Sequence, residues 1–135
     1  MISIRTIAKL LILLVVVTLG STLHIAQADA PLMTQKQQED ARLYAWVDKL
    51  EIAESNGNAS LHFLDVNHQY SNGCLQFQDG TWETYSKEYG IQGTPYECDK
   101  ARQLAVDMIE NHYNLWRSWW TSVMQKGVGL PPKES

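Results

Sequence analysis

Glu54 is an acid where the pattern of its surroundings calls for an apolar side chain. Leu43, Trp46, Val47 and Leu50 recur at i, i+3, i+4 and i+7, the spacing of an amphipathic helix. At roughly 100° per residue, Glu54 falls within about 40° of Leu43, Val47 and Leu50 on that helix. Asp48 and Glu51 point away from the stripe. A carboxylate that continues a core face is costly to ionise, so burial should raise its pKa. The negative end of the helix dipole pushes the same way, because Ser55-Asn56-Gly57-Asn58 reads as the helix stop. A carboxylic acid kept protonated near neutral pH is what a general acid for glycosidic cleavage requires. The plainer reading is a glutamate at a frayed helix end, turned to water.

The elements that must position Glu54 can be read from the same chain. Thr34 is the N-cap expected for a first helix from about Gln35 to Glu54 or Ser55. Leu61-His62-Phe63-Leu64-Asp65-Val66 is a short strand-like run ending at Asn67-His68. A second extended or turn segment passes through Ser71-Asn72-Gly73 to Phe77. Asp79-Gly80-Thr81 opens a second helix carrying Trp82, Tyr85 and Tyr89, and Gly90 closes it. Residues 91–96, with Gly93-Thr94-Pro95, read as a loop. A third helix of about Asp99–His112 places Ala101, Leu104, Ala105, Met108 and Ile109 on one face. A last helical segment contains Leu115, Trp116, Trp119, Trp120 and Val123. The fold class expected is α+β, mainly α, with one small irregular β segment. The domain spans residues 34–126, and residues 127–135, with Pro131-Pro132, are expected to be a flexible tail.

Composition narrows the setting. Arg5 and Lys9, the apolar run Leu10 to Leu19 and the small residues Ala26, Ala28 and Ala30 describe a secretory signal peptide over residues 1–28. Cleavage after Ala28 is preferred, because the next small-residue frame would leave Pro31 beside the cut. Even taken from Ile7 to Leu19, with Lys9 inside, the stretch is short of the ~20 residues that span a bilayer, so an uncleaved anchor is the weaker reading. Arg5 and Lys9 are the charged residues of this segment, and its removal takes the formal charge from −4 to −6. No basic stripe is present, which argues against nucleic acid as a partner. The remaining chain is the size of one domain, and a monomer is expected.

Cys74 and Cys98 are the two cysteines. In an exported chain an even pair is most simply a disulfide. Zinc held by both cysteines with His62, His68 or His112 is the rival, but no C-x-x-C or H-E-x-x-H spacing supports it. Neither a metal nor a cofactor is expected.

Three blocks carry a family resemblance. Glu54-Ser55-Asn56-Gly57-Asn58 is similar to the E-S-x-x-N block of the lysozyme-like superfamily, in its soluble lytic transglycosylase and goose-type lysozyme branch. Ser71-Asn72-Gly73-Cys74-Leu75-Gln76-Phe77 resembles that branch's S-x-G-x-x-Q block. Thr81-Trp82, Tyr85 and Tyr89-Gly90 resemble the helix that follows it, and Gln103 to Ile109 with Trp116 and Trp119 resemble the closing helix and aromatic segment. The match covers about residues 40–120. The A-x-S-x-x-G-A-x-G-L-M-Q wording of larger members is missing, and their N-I-x-x-G motif is not recognisable near Met108 to Tyr113. Tyr113 is therefore only a candidate for their substrate-positioning tyrosine.

The resemblance implies cleavage of the MurNAc–GlcNAc β-1,4 bond of peptidoglycan glycan strands in the periplasm or outside the cell. Glu54 would act as both acid and base. It implies that Gln76 bonds near Glu54 or to a substrate acetamido group, and that Ser71 is a cleft hydroxyl. Taken alone, Gln76 reads as an edge-strand residue in solvent and Ser71 as a turn former. Asp65 is either a second, water-activating carboxylate or a turn-capping aspartate, and the cap is preferred. Tyr70 and other aromatics have the chemistry to stack on sugar, whereas Trp82, Trp116 and Trp119 are expected to be structural. A non-catalytic glycan-binding or envelope-assembly protein is the alternative outside enzymology. Asn58-Ala59-Ser60 matches a glycosylation sequon too short to weigh.

Overall fold

The computed structural model describes residues 32–133. The signal-peptide expectation falls outside them. Helix α1, Gln35–Ser55, starts as its sequence dictates: the Thr34 hydroxyl accepts the Gln37 backbone N–H at 3.2 Å, and Gln37 Oε1 accepts the Thr34 N–H at 2.8 Å. This reciprocal cap satisfies two donors that a helix start otherwise leaves unpaired. The helix ends on Asn56, left-handed at φ 53°, followed by Gly57 at φ 78°. Its buried stripe is Leu43, Trp46, Val47 and Leu50.

Three short antiparallel strands follow in the order β1 His62–Leu64, β2 Tyr70–Asn72 and β3 Phe77–Gln78. Phe63 pairs with Ser71, and Ser71 in turn with Gln78. The strand-like run is thus shorter than its apolar stretch, and β1 is exposed along its whole length. Helix α2, Asp79–Glu88, leaves the end of β3, and helix α3, Cys98–Asn111, buries Ala101, Leu104, Ala105, Val106, Met108 and Ile109. The final aromatic segment is not one helix. A 3-10 stretch, Tyr113–Trp119, gives way at Trp119 (φ −117°, ψ 35°) to helix α4, Trp120–Met124.

Helices α1 and α3, the aromatic segment, Leu75 and Phe77 close one core. Trp82, Trp116 and Trp119 are buried in it, as expected, and Phe77 meets Trp82 and Trp119 edge-on at 5.5 and 5.2 Å between ring centroids. Indole N–H groups that enter a core need an acceptor. Trp119 Nε1 donates to the Leu75 carbonyl at 2.8 Å, and Trp46 Nε1 to the Gly129 carbonyl at 2.9 Å. The second bond corrects the expectation of a flexible tail over the residues described. Residues 127–133 return to the helices: Tyr113 Oη donates to the Pro131 carbonyl at 3.0 Å, the Val128 and Gly129 N–H groups bond Ser122 and Val123 carbonyls, and Pro131 is buried. Among the described residues, no helix is long and apolar enough to cross a membrane.

Candidate active site

Glu54 lies in the last turn of α1 and lines a cleft of about 570 Å³ with the sheet on one wall and the aromatic segment on the other. Its carboxyl is pushed above the ordinary range chiefly by burial. Asp65 adds to the rise through its charge, while the Ser122 hydroxyl and the Lys126 ammonium oppose it. The direction expected from the helical wheel is therefore the one found, for the reason expected: loss of water around the charged form.

Asp65, Ser71 and Gln76 line the same cleft. Strand alternation brings the first two together, because successive side chains point to opposite faces. Ser71 and its cross-strand partners Phe63 and Gln78 share the cleft face. Ser71 is buried and donates its hydroxyl to Asp65 Oδ2, which also accepts Gln78 Nε2 at 3.2 Å. The Asp65 carboxyl therefore caps no turn, contrary to the preferred sequence reading. Asn67 does so instead, accepting the Gln69 N–H on Oδ1 at 3.0 Å, while Asp65 supplies backbone groups to the turn, with His68 N–H donating to its carbonyl at 2.9 Å.

Gln76 is half-buried in the cleft wall beside Glu54, and its side-chain amide bonds to backbone rather than to the acid. It sits at φ 52°, a conformation side-chain-bearing residues seldom adopt, and its Nε2 donates to the Gly73 and Leu61 carbonyls at 2.7 and 3.2 Å. Its amide thus locks the β2–β3 turn along one edge of the cleft. Gly73 explains why the block needs a glycine: at φ 73°, a Cβ would stand 1.8 Å from the Pro95 carbonyl oxygen.

Two expected substrate contacts lie elsewhere. Tyr70 is one residue out of phase with Ser71, so β2 turns it to the other face, where it stacks on His62 at 4.2 Å. It is not among the residues that line the cleft. Tyr113 is bonded to Pro131 and lines a separate, more apolar cavity of about 340 Å³ with Leu43, Ile109 and Pro132. That cavity shares no residue with the cleft, and beside its acids Glu39 and Glu110 it has no amide side chain and no serine or threonine hydroxyl.

Sequence reasoning missed Ser122, Lys126, Arg117 and Gln78, all of which line the Glu54 cleft. It also missed Asn72, buried behind the sheet. Asn72 Nδ2 donates to Asp79 Oδ1 at 2.7 Å and Asn72 Oδ1 accepts the Tyr96 hydroxyl at 2.8 Å, which fastens β2 to α2 and to the 91–97 loop. The sequence offered little signal for it, because Ser71-Asn72-Gly73 reads as a turn.

The expected Cys74–Cys98 bridge is not formed; both residues are thiols. A bond would require the sulfurs to approach to about 2.05 Å. They are neighbours all the same: the two sulfurs and a Glu51 carboxyl oxygen lie within 4.8 Å of one another. Burial, and then the Cys98 thiol, push the Cys74 thiol well up from its ordinary range. The third group beside the cysteines is thus Glu51, not His62, His68 or His112, and Arg102 Nε stands 3.7 Å from Glu51 Oε2.

Exposed apolar side chains flank the acid. Phe63 and Val66 reach into the cleft from the hairpin and Trp120 from the start of α4. Trp120 is half exposed and stacked on buried Trp116 at 5.5 Å. A desolvated carboxyl, a second acid, amides, hydroxyls and aromatic faces in one cleft suit a polyhydroxylated ligand. No family model matches the chain, and no curated protein and no solved structure matches it either.

Proposed function

We propose that this protein is an exported peptidoglycan-cleaving enzyme of lysozyme-like fold, a lytic transglycosylase acting as a monomer on the MurNAc–GlcNAc β-1,4 bond. The observation that carries the reading is Glu54 itself, a carboxyl raised in pKa by burial yet open to a polar cleft. The E-S-x-x-N and S-x-G-x-x-Q blocks, distant in sequence, supply walls of that one cleft through Glu54, Ser71 and Gln76.

Protonated Glu54 gives its proton to the glycosidic oxygen as the C1–O bond breaks. The carboxylate left behind takes the proton of the sugar's own 6-hydroxyl while that oxygen attacks C1. The products are a free 4-hydroxyl on one strand end and a 1,6-anhydro ring on the other, and Glu54 is again protonated. No water enters, so no second carboxylate is required.

One observation favours a hydrolase as the second reading. Asp65 shares the cleft and its charge is felt by Glu54, the relationship that a base activating water opposite the acid would have. Mass analysis of muropeptides released from purified sacculi separates the two. Anhydro ends support the transglycosylase and reducing ends the hydrolase. Sacculi left intact by the wild-type protein, but bound by it, would replace both with a glycan-binding module.

A further inference from the structure

We propose that the Ser122 hydroxyl is the positioning partner of Glu54, donating a hydrogen bond to one carboxyl oxygen so that the other faces the cleft. For its catalytic meaning, this inference rests on the function proposed above.

Ser122 is fully buried in α4, and its Oγ has no hydrogen bond of ordinary geometry in the resting protein. A buried helical serine commonly satisfies itself on the carbonyl one turn back; this one does not. Buried hydroxyls without partners are rare enough to need a reason. Ser122 and Glu54 line the same cleft, and α4 packs on α1. Lys126, just beyond α4, clamps the two segments together by donating its ammonium to the Ala53 carbonyl at 3.0 Å, one residue before Glu54. The Glu54 carboxyl feels the Ser122 hydroxyl as a hydrogen-bond donor that favours its charged form. A slight closure of this clamp completes the bond.

The bond serves both halves of the reaction. With Glu54 protonated, Ser122 O–H occupies the carbonyl oxygen, leaving the acidic O–H for the glycosidic oxygen. With Glu54 ionised, the same donor steadies the carboxylate while its other oxygen receives a proton. Asp65 from the hairpin turn, Lys126 after α4 and Arg117 from the 3-10 segment are the other charged groups in this cleft. Removing one hydroxyl leaves all three in place.

The test uses the full exported chain with carbon-13 in its glutamate carboxyls, Glu54→Gln serving to assign the Glu54 signal. Ser122→Ala should move the Glu54 titration midpoint to higher pH, because a donor to the carboxylate has been lost. Ser122→Thr, which keeps the hydroxyl, should move it back toward wild type. On sacculi, Ser122→Ala should lower kcat about ten- to a hundredfold, the scale of misplacing a reacting group, with KM little changed. Its high-pH limb of activity should shift upward by as much as the midpoint. An unchanged Glu54 midpoint in a folded Ser122→Ala protein would overturn the proposal, as would an altered kcat with an unmoved pH limb. If wild-type protein cleaves nothing, the enzymatic reading fails by itself, and the carbon-13 titration still decides whether Ser122 holds Glu54.

Discussion

At the scale of single residues, the cleft contrasts two carboxyls. Glu54 has lost water without gaining a strong donor, and its pKa rises; Asp65 is held by Ser71 and Gln78. Activity should therefore require protonated Glu54 and decline as pH climbs through its raised pKa, which a pH profile of sacculus solubilisation would record. Glu54→Gln should reduce turnover by about 10²–10⁴-fold, the usual worth of a general acid. Its stability has a defined pH dependence. A folded-state pKa above the unfolded one means that the native protein binds the proton more tightly, so wild-type stability falls as pH rises from the unfolded toward the folded value. The Gln variant lacks that loss. It should match wild type in acid and melt higher above the raised pKa, and thermal unfolding across pH would detect the crossover. For Asp65→Asn, a transglycosylase should keep most of its activity and its anhydro products, since the amide still accepts from Ser71. Loss of cleavage in a folded variant, with reducing ends from wild type, would favour the hydrolase.

At the scale of elements, the β2–β3 turn is the most constrained piece of the site. Gly73 has no room for a methyl group against Pro95, and Gln76 is held left-handed by its own amide bonds. Gly73→Ala should cost about 2–4 kcal/mol, combining backbone strain with a clash that neither loop can relieve cheaply; urea unfolding would measure it. The adjacent Cys74 faces Cys98 at the start of α3. In protein recovered from an oxidising compartment we expect these thiols to be joined. The bond would tie the turn to α3 and stabilise the fold by about 3 kcal/mol in the chain-entropy model. Intact mass after alkylation, with and without reductant, would show it, and two alkylated thiols without reductant would refute it.

At the scale of the whole molecule, the C-terminal segment is a structural member. It supplies the acceptors for Trp46 and Tyr113 and inserts Pro131. Deleting residues 127–135 should destabilise the protein by about 2 kcal/mol or more, from two side-chain hydrogen bonds of roughly 1 kcal/mol each plus the lost burial. A melting temperature unchanged by this deletion would contradict that role. N-terminal sequencing of secreted material should begin at Asp29, the residue after the preferred cleavage site.

Much of this arrangement was legible in the chain alone. Helix α1 is written in Thr34 at its start, the stripe Leu43, Trp46, Val47 and Leu50, and Asn56-Gly57 at its end, because caps and helical periodicity act over a few residues. The same local arithmetic placed Glu54 on a core face and so foretold the direction of its pKa. What acts on Glu54 from afar was legible only for Asp65, named as a possible second carboxylate, and not for Ser122 or Lys126. Asp65, Ser122 and Lys126 lie 11, 68 and 72 positions along the chain, and only the tertiary fold, with α4 packed on α1 and the hairpin across the cleft, sets them around one carboxyl. Tyr70 failed as a cleft residue because a strand's two-residue period, once its register is known, assigns each side chain to a face. The tail failed because Gly and Pro composition says nothing of the acceptors that Trp46 and Tyr113 need. Short-range chemistry was read from residue order, whereas the neighbours of the acid were decided by the tertiary fold, since desolvation and hydrogen bonding depend on distance in space.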